Sequence, residues 1–373
     1  MLSQQGYNVT ILTNIYSQAL LNEDYQLLAN TDINYISYSN LIYADINSYL
    51  SRTFNKLGRW LNYIGFENKY ALGYSPNRCL KLALENNADL YICHQELPSY
   101  IGTLLLKKKK KVAFDFEDWY REDLLITDRR FRPQTILENV ERKILTGGNL
   151  TYTTSIPLAI ALAKRYNSSM PAVIYNSFPS FINKVKKKTN GAIKLIWLSQ
   201  TIGPGRGIEQ IIESLNNITN RSFELNLRGN ISSGFKQHLS SLLTSTTHQI
   251  IFLPLIANKC IQEDLTSYDI GLALELSSPK SRDLTITNKI FHYLSVGLPV
   301  IASNTLGQLS LSNDFKPYIK YFNDGKSLES ILKDIDIRHI SNAKVEVLRI
   351  YNAKYDWNNQ KEKLKHLVKN LFN

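Results

Sequence analysis

Arg206 sits in the stretch Gly203-Pro-Gly-Arg-Gly207, between an apolar run and a helical stretch, where an anion could be held. Gly203, Gly205 and Gly207 let the backbone approach a bound group closely. The helix start beyond them adds unpaired N–H groups and the positive end of a dipole. The structural alternative is a tight turn whose arginine pairs with Glu209. A second concentration of charge lies in Asp269–Gln308, where Glu275, Arg282, Asn288 and Lys289 occupy a loop and helix start after a short apolar strand. Ligands of doubly wound sheets bind at the carboxyl ends of parallel strands, so this position also suits an anionic ligand. Glu275 either contacts a ligand's hydroxyls or braces Arg282, and Asp269 caps local backbone. In the first half, His94 ends one apolar run, and Asp115, Glu117 and Asp118 end the next. Glu117 or Asp118 could bind hydroxyl groups and assist proton removal, or the acids could cap the next helix and pair with Arg121. Glu138 and Glu141, one helical turn apart, read as surface acids that pair with Arg142 or Lys143. No Walker loop, no His/Cys metal cluster and no Ser/His/Asp order stands out, so no metal is expected.

These residues need elements to position them. Short apolar runs predict strands at Tyr7–Thr13, Ile33–Ser37, Asp89–Cys93, Lys111–Phe116, Leu150–Thr153 and Ala172–Tyr175. Helical spacing marks Pro76–Asn87 and Gln134–Leu145 between them. The segment Ser177–Ala192 has no apolar periodicity and reads as a linker. A second alternating series follows: Ile193–Leu198, a helix from Ile208 to Leu215, Phe223–Gly229, a helix near Phe235–Leu243, Gln249–Leu253, Gly271–Leu274 and the buried run GLPVIAS. Strand–helix alternation implies parallel sheets with helices on both faces. The expected division is an amino-terminal domain at 1–180, a linker at 181–192 and a carboxyl-terminal domain at 193–350. A terminal helix at 351–373 either packs back on the first domain or caps the second.

The chain has 373 residues, which suits two domains of roughly 150–200 residues rather than one core. Its 43% hydrophobic content excludes a disordered chain. Cys79, Cys93 and Cys260 have no paired spacing, which argues against a disulfide framework and a zinc site and for core filler in a reducing cytoplasm. No signal peptide and no long uninterrupted apolar run is seen, so a cytoplasmic location is expected. The net charge of +12 admits nucleic acid, an anionic membrane surface or phosphate-bearing substrates. No nucleic-acid-binding pattern accompanies it, so nucleic acid is not expected as a partner. In LLLKKKKKV (Leu104–Val112), five lysines follow aliphatic residues, which suits either a peripheral anchor on an anionic leaflet or a solvated helix end.

The stretches LIWLSQTIGPGRGIEQIIESL (Leu195–Leu215) and ITNKIFHYLSVGLPVIAS resemble the donor-binding region of family 4 glycosyltransferases. The resemblance implies the GT-B fold, α/β, with two Rossmann-like doubly wound parallel-sheet domains facing across a cleft. It implies a retaining, metal-independent glycosyltransferase that needs no cofactor and moves a sugar from a nucleotide-diphosphate donor to a glycan or lipid-linked acceptor. Bacterial surface-polysaccharide assembly at the inner membrane face is the setting it suggests. By this resemblance Arg206 holds the donor diphosphate on the turn of Gly203 and Gly205, with Arg228 or Lys289 replacing the missing second basic residue; Asn288 and Lys289 reach the sugar or diphosphate, Glu275 the sugar hydroxyls, and His292 stands at the ribose position. Replacing Arg206 or Lys289 by alanine should then weaken donor binding without unfolding the protein. Glu117, Asp118, His94 and Asn176 fall on the acceptor side. The chain departs from the pattern at Gln200 and Thr201, where a second basic residue is common, and at Leu284 and His292, where many members carry a Glu pair. These departures admit two alternatives, a catalytically silent nucleotide- or glycan-binding partner protein and a nucleotide-sugar epimerase. The opening MLSQQGYNVTILTN enters the resemblance at the end of the family's first helix. The first strand is therefore expected to be absent from the sheet, through an internal start or an incomplete amino-terminal domain, unless another part of the chain forms it.

Overall fold

A computed structural model describes residues 2–181 and 191–372. The chain forms two compact units. Unit 1 takes the residues up to Thr153, Ala159–Val173, and those from Leu364 on; unit 2 takes Thr154–Leu158 and Ile174–Lys363. The linker expected at 181–192 falls almost wholly outside the described residues.

Unit 1 holds β1 (Thr10–Ile15), β2 (Asn34–Asn40), β3 (Tyr91–His94), β4 (Val112–Phe116), β5 (Leu150–Thr153) and β6 (Ala172–Val173). All pairings are parallel, in two separate sheets: β1 with β2, and β3-β4-β5-β6 in that order. Among the described residues no strand stands between β1 and β3. A cavity of about 780 Å³, lined by Ile11–Ile15 of β1 and by Ile92 and His94 of β3, lies there instead.

The core of this unit is built around β4, whose Val112, Ala113, Phe114 and Phe116 are buried. Glu141 belongs to that core. Its carboxylate accepts from the Trp119 indole at 3.0 Å, the Tyr166 hydroxyl at 2.5 Å and the Arg121 backbone N–H at 3.1 Å. Burial pushes its pKa up to about 7 against those bonds. The expectation of two surface acids therefore holds for Glu138, which pairs with Arg121, Arg142 and Arg165, and fails for Glu141.

Unit 2 holds β7 (Ile193–Ile202), β8 (Phe223–Ile231), β9 (Gln249–Leu253), β10 (Ile270–Ala273), β11 (Val300–Ser303) and β12 (Ile319–Phe322). They form one parallel sheet in the order β12-β11-β10-β7-β8-β9. Strand order reverses between β7 and β10, which opens a crevice at their carboxyl ends. Ile208, Ile211, Ile212 and Leu215 pack one helix onto β7 and β8, and all four are fully buried. Gly271 is dictated by packing, because a Cβ there would come within 2.3 Å of the Tyr293 ring.

Candidate donor and acceptor sites

The β7–β10 crevice of unit 2 gathers most of the expected donor residues. After β7 the chain turns through Gly205 and Gly207, whose φ values of 71° and 76° favour glycine. A Cβ on Gly207 would come within 3.2 Å of Leu274, so this loop lies against the end of β10. The helix Ile208–Asn216 begins there with no side-chain cap, leaving its first amides for a ligand or water. Arg206 makes no hydrogen bond or ion pair among the described residues, and the expected alternative, a pair with Glu209, is not formed. Gln200 and Thr201 are exposed and supply no compensating charge.

Glu275, just beyond β10, meets Lys289 rather than Arg282. The Nζ–Oε1 distance is 2.6 Å, and the two side chains are only 11% and 8% exposed. The Glu275 N–H donates to the Ser303 hydroxyl at the end of β11, which fixes the carboxylate over the strand ends. The Lys289 ammonium also lies 3.4 Å from the Thr287 hydroxyl and 5.5 Å from the centre of the Trp197 ring. An ammonium has three N–H donors, so one remains for a ligand. Asn288, exposed at the first turn of the helix Asn288–Ser295, makes no side-chain bond among the described residues.

Two expected donor residues are occupied otherwise. Arg228 on β8 is buried and binds Asp264 through Nε and Nη2 at 3.1 and 2.7 Å, and the Pro254 carbonyl through Nη1. A bidentate pair of this kind ties β8 to the helix Asn258–Leu265, and the guanidinium does not reach for a phosphate. His292 stacks on Phe178 with ring centres 3.6 Å apart. Burial lowers its pKa to about 4, so the ring is neutral near pH 7. Among the described residues its Nδ1 is buried without a hydrogen-bond partner, which makes it a packed ring with one nitrogen unused. Leu284 is buried and apolar.

In unit 1 the acceptor-side residues converge on the carboxyl ends of β3 and β4. His94 and Asp115 are opposite each other in register. The His94 Nδ1 lies 3.0 Å from Asp115 Oδ2 and 3.6 Å from Glu117 Oε1. Hydrogen bonds to Asp115 and then Glu117 raise the imidazole pKa to about 9, so it is protonated near pH 7. Asp115 is itself raised, chiefly by burial. One ligand atom from each of these three residues lies within 4.8 Å of the others, an arrangement that suits a divalent ion as well as a proton. Asp118 lines the same cavity as His94 and Glu117. Sequence reasoning singled out the residues but missed the charge state, because it depends on two carboxylates from a neighbouring strand. Asn176 is exposed and lies in unit 2, past β6.

One end of the lysine run is tied into the protein. It closes the helix Glu96–Lys107, whose Leu105 is buried, and Lys111 donates to the Leu371 carbonyl at 2.7 Å.

No family model matches the chain, and no curated protein matches it. Solved structures do. Sucrose-phosphate synthase from Thermosynechococcus elongatus matches with a TM-score of 0.68 and 14% identity over 100% of this chain and 90% of that one. Anabaena Alr3699/HepE in complex with UDP-glucose matches at 0.65 and 13% identity, over 97% and 99% of the two chains. A glycosyltransferase from Rickettsia africae ESF-5 matches at 0.64 and 14%, over 100% and 92%. The chain therefore has the fold of these proteins, the GT-B fold of two Rossmann-like domains.

Proposed function

We propose that the chain is a retaining glycosyltransferase that holds a nucleotide-diphosphate sugar on unit 2 and passes the sugar to an acceptor hydroxyl. The carrying observation is the convergence at one strand-order reversal of an uncapped helix start, an arginine with no partner among the described residues and a lysine fixed by a buried carboxylate. Diphosphate oxygens need such donors, and cations fixed before reaction cost no reorganisation as charge builds on the leaving group. A structural neighbour crystallised with UDP-glucose makes that donor class the first to test.

In the transfer, the bond from the anomeric carbon to the diphosphate oxygen breaks. A bond to the acceptor oxygen forms on the same face, and the acceptor's proton leaves with the diphosphate. Arg206, Lys289 and the amides beyond Gly207 neutralise the departing charge, so the scheme requires no metal. On unit 1, the carboxylates of Glu117 and Asp118 bind acceptor hydroxyls, with protonated His94 as a donor beside them. A lipid-linked or glycan acceptor in surface-polysaccharide assembly, met by a peripheral enzyme at the inner membrane face, fits this chemistry.

The second reading, a silent binder, draws on Gln200, Leu284 and His292 standing where charged groups would strengthen donor binding. Incubating the protein with UDP-glucose or GDP-mannose and following nucleoside-diphosphate release separates the two. Release that rises with added acceptor supports the transferase. Binding without release identifies a silent protein, and a new nucleotide sugar formed without acceptor identifies an epimerase.

A further inference from the structure

The helix Ile46–Tyr63 of unit 1 is mounted with its polar side inward. Ser48, Ser51, Gly58 and Asn62 are its buried residues. Hydrogen bonds hold that side down: Asn62 donates to the Arg130 carbonyl at 3.0 Å and Asn55 to the Tyr70 carbonyl at 2.8 Å. The Gly58 carbonyl accepts from Asn68 at 3.0 Å, and a Cβ on Gly58 would come within 2.8 Å of the Tyr70 side chain. The opposite side carries Ile46, Leu50, Phe54, Leu57 and Trp60, all exposed, with Ile46 at 74% and Trp60 at 55%. Helical spacing at 46, 50, 54, 57 and 60 makes these one continuous ridge about 21 Å long. A contiguous apolar ridge of this size on a soluble domain marks an interaction surface.

Charge identifies the partner. No Asp or Glu occurs from Ile46 to Phe66, while Arg52, Lys56 and Arg59 run along one flank. Lys56 and Arg59 form no ion pair among the described residues. Arg130 extends the basic edge, stacked 5.2 Å from the Tyr63 ring. Tyr49, Trp60 and Tyr63 are the amphipathic rings that settle at a headgroup boundary. A twofold contact between two copies would set the same cationic flank on both partners, with no acid on the helix to answer it. No described helix is long and apolar enough to cross a membrane, so this one would lie on the surface.

We propose that the exposed face of Ile46–Tyr63 docks this protein on an anionic lipid bilayer, the aliphatic and Trp side chains entering the headgroup boundary and Lys56 and Arg59 meeting lipid phosphates, while Arg52 stays bonded to the Leu41 carbonyl. The proposal stands independently of the transferase reading.

Co-sedimentation of the full chain with phosphatidylglycerol/phosphatidylcholine vesicles and with phosphatidylcholine vesicles tests it. The wild type binds the anionic vesicles more tightly, and added salt weakens the binding. Lys56→Ala with Arg59→Ala lowers that affinity roughly thirtyfold. Leu57→Ser with Trp60→Ser lowers it at least roughly tenfold at unchanged melting temperature, since both side chains are exposed. A Trp60→Phe variant removes the blue shift of tryptophan emission that vesicles produce in the wild type. Absence of binding to anionic vesicles overturns the proposal, as does equal binding by the Leu57→Ser/Trp60→Ser variant. So does a wild-type dimer in lipid-free solution that the same variant dissociates, because the face would then belong to a second copy.

Discussion

Lys289 and Arg206 carry the same expected role, yet removing them should have different consequences. Arg206 is uncommitted, so Arg206→Ala should leave stability unchanged and weaken nucleoside-diphosphate binding by about 1.5–3 kcal/mol, measured by calorimetry. Lys289→Ala strips the partner from a carboxylate that is 8% exposed, and a broken buried pair costs about 3–5 kcal/mol. The expectation that either change spares the fold is thus revised for Lys289. The double variant Glu275→Gln/Lys289→Met should recover much of the lost melting temperature without recovering binding.

Two histidines give opposite pH signatures. His94 is raised from 6.5 to about 9, so its contribution to stability is fully present below pH 6.5 and is lost as pH rises through about 9. Its ring signals in NMR should titrate near pH 9, and Asp115→Asn should move that midpoint down. His292 is lowered to about 4, so it destabilises the fold as pH falls from 6.5 toward 4. Replacing it with Phe should flatten the pH dependence of melting in that window. Residue types at the strand ends were legible from spacing alone. Their partners were not, because Arg228–Asp264 and Glu275–Lys289 pair across elements that only the folded sheet brings together.

At the scale of elements, the strands were the most legible feature. Alternating apolar runs located β5 and β9 to the residue, and β7 and β8 were foreseen but end later than expected. The helix Ile46–Tyr63 was not foreseen although its apolar residues recur at helical spacing; that this side faces solvent is decided by the bonds of Asn55, Gly58 and Asn62, which only the fold shows. Glu141 was misjudged for the converse reason: a charged side chain read as surface is buried where Trp119, Tyr166 and a backbone amide satisfy it. The two-stranded sheet of β1 and β2 has a physical consequence. β1 and β2 pair only with each other among the described strands and rest on the helices Ile46–Tyr63 and Pro76–Asn86, which leaves fewer cross-strand bonds than a wider sheet has. Hydrogen-exchange mass spectrometry should find β1 and β2 exchanging faster than β3 to β5, which sit in a four-stranded sheet. Equal protection in the two sheets would contradict that.

Across the whole molecule, the chain passes between its two units more than once, and its end returns to unit 1. Val368, 2% exposed, and the Lys111–Leu371 hydrogen bond belong to that final stretch. Deleting residues from Leu364 on should therefore destabilise unit 1 by about 2 kcal/mol or more, seen as a lower denaturant midpoint. Part of the excess of basic residues, an ambiguous signal in composition, lies at Arg52, Lys56 and Arg59 on the helix Ile46–Tyr63. Everything proposed for catalysis rests on where the donor diphosphate sits. A crystal grown with a nucleoside diphosphate tests this most directly. Its phosphates should lie at the carboxyl ends of β7 and β10, bonded to Arg206 and to the first amides of the helix Ile208–Asn216. Phosphates bound on unit 1, or on unit 2 beyond the reach of Arg206, would contradict it.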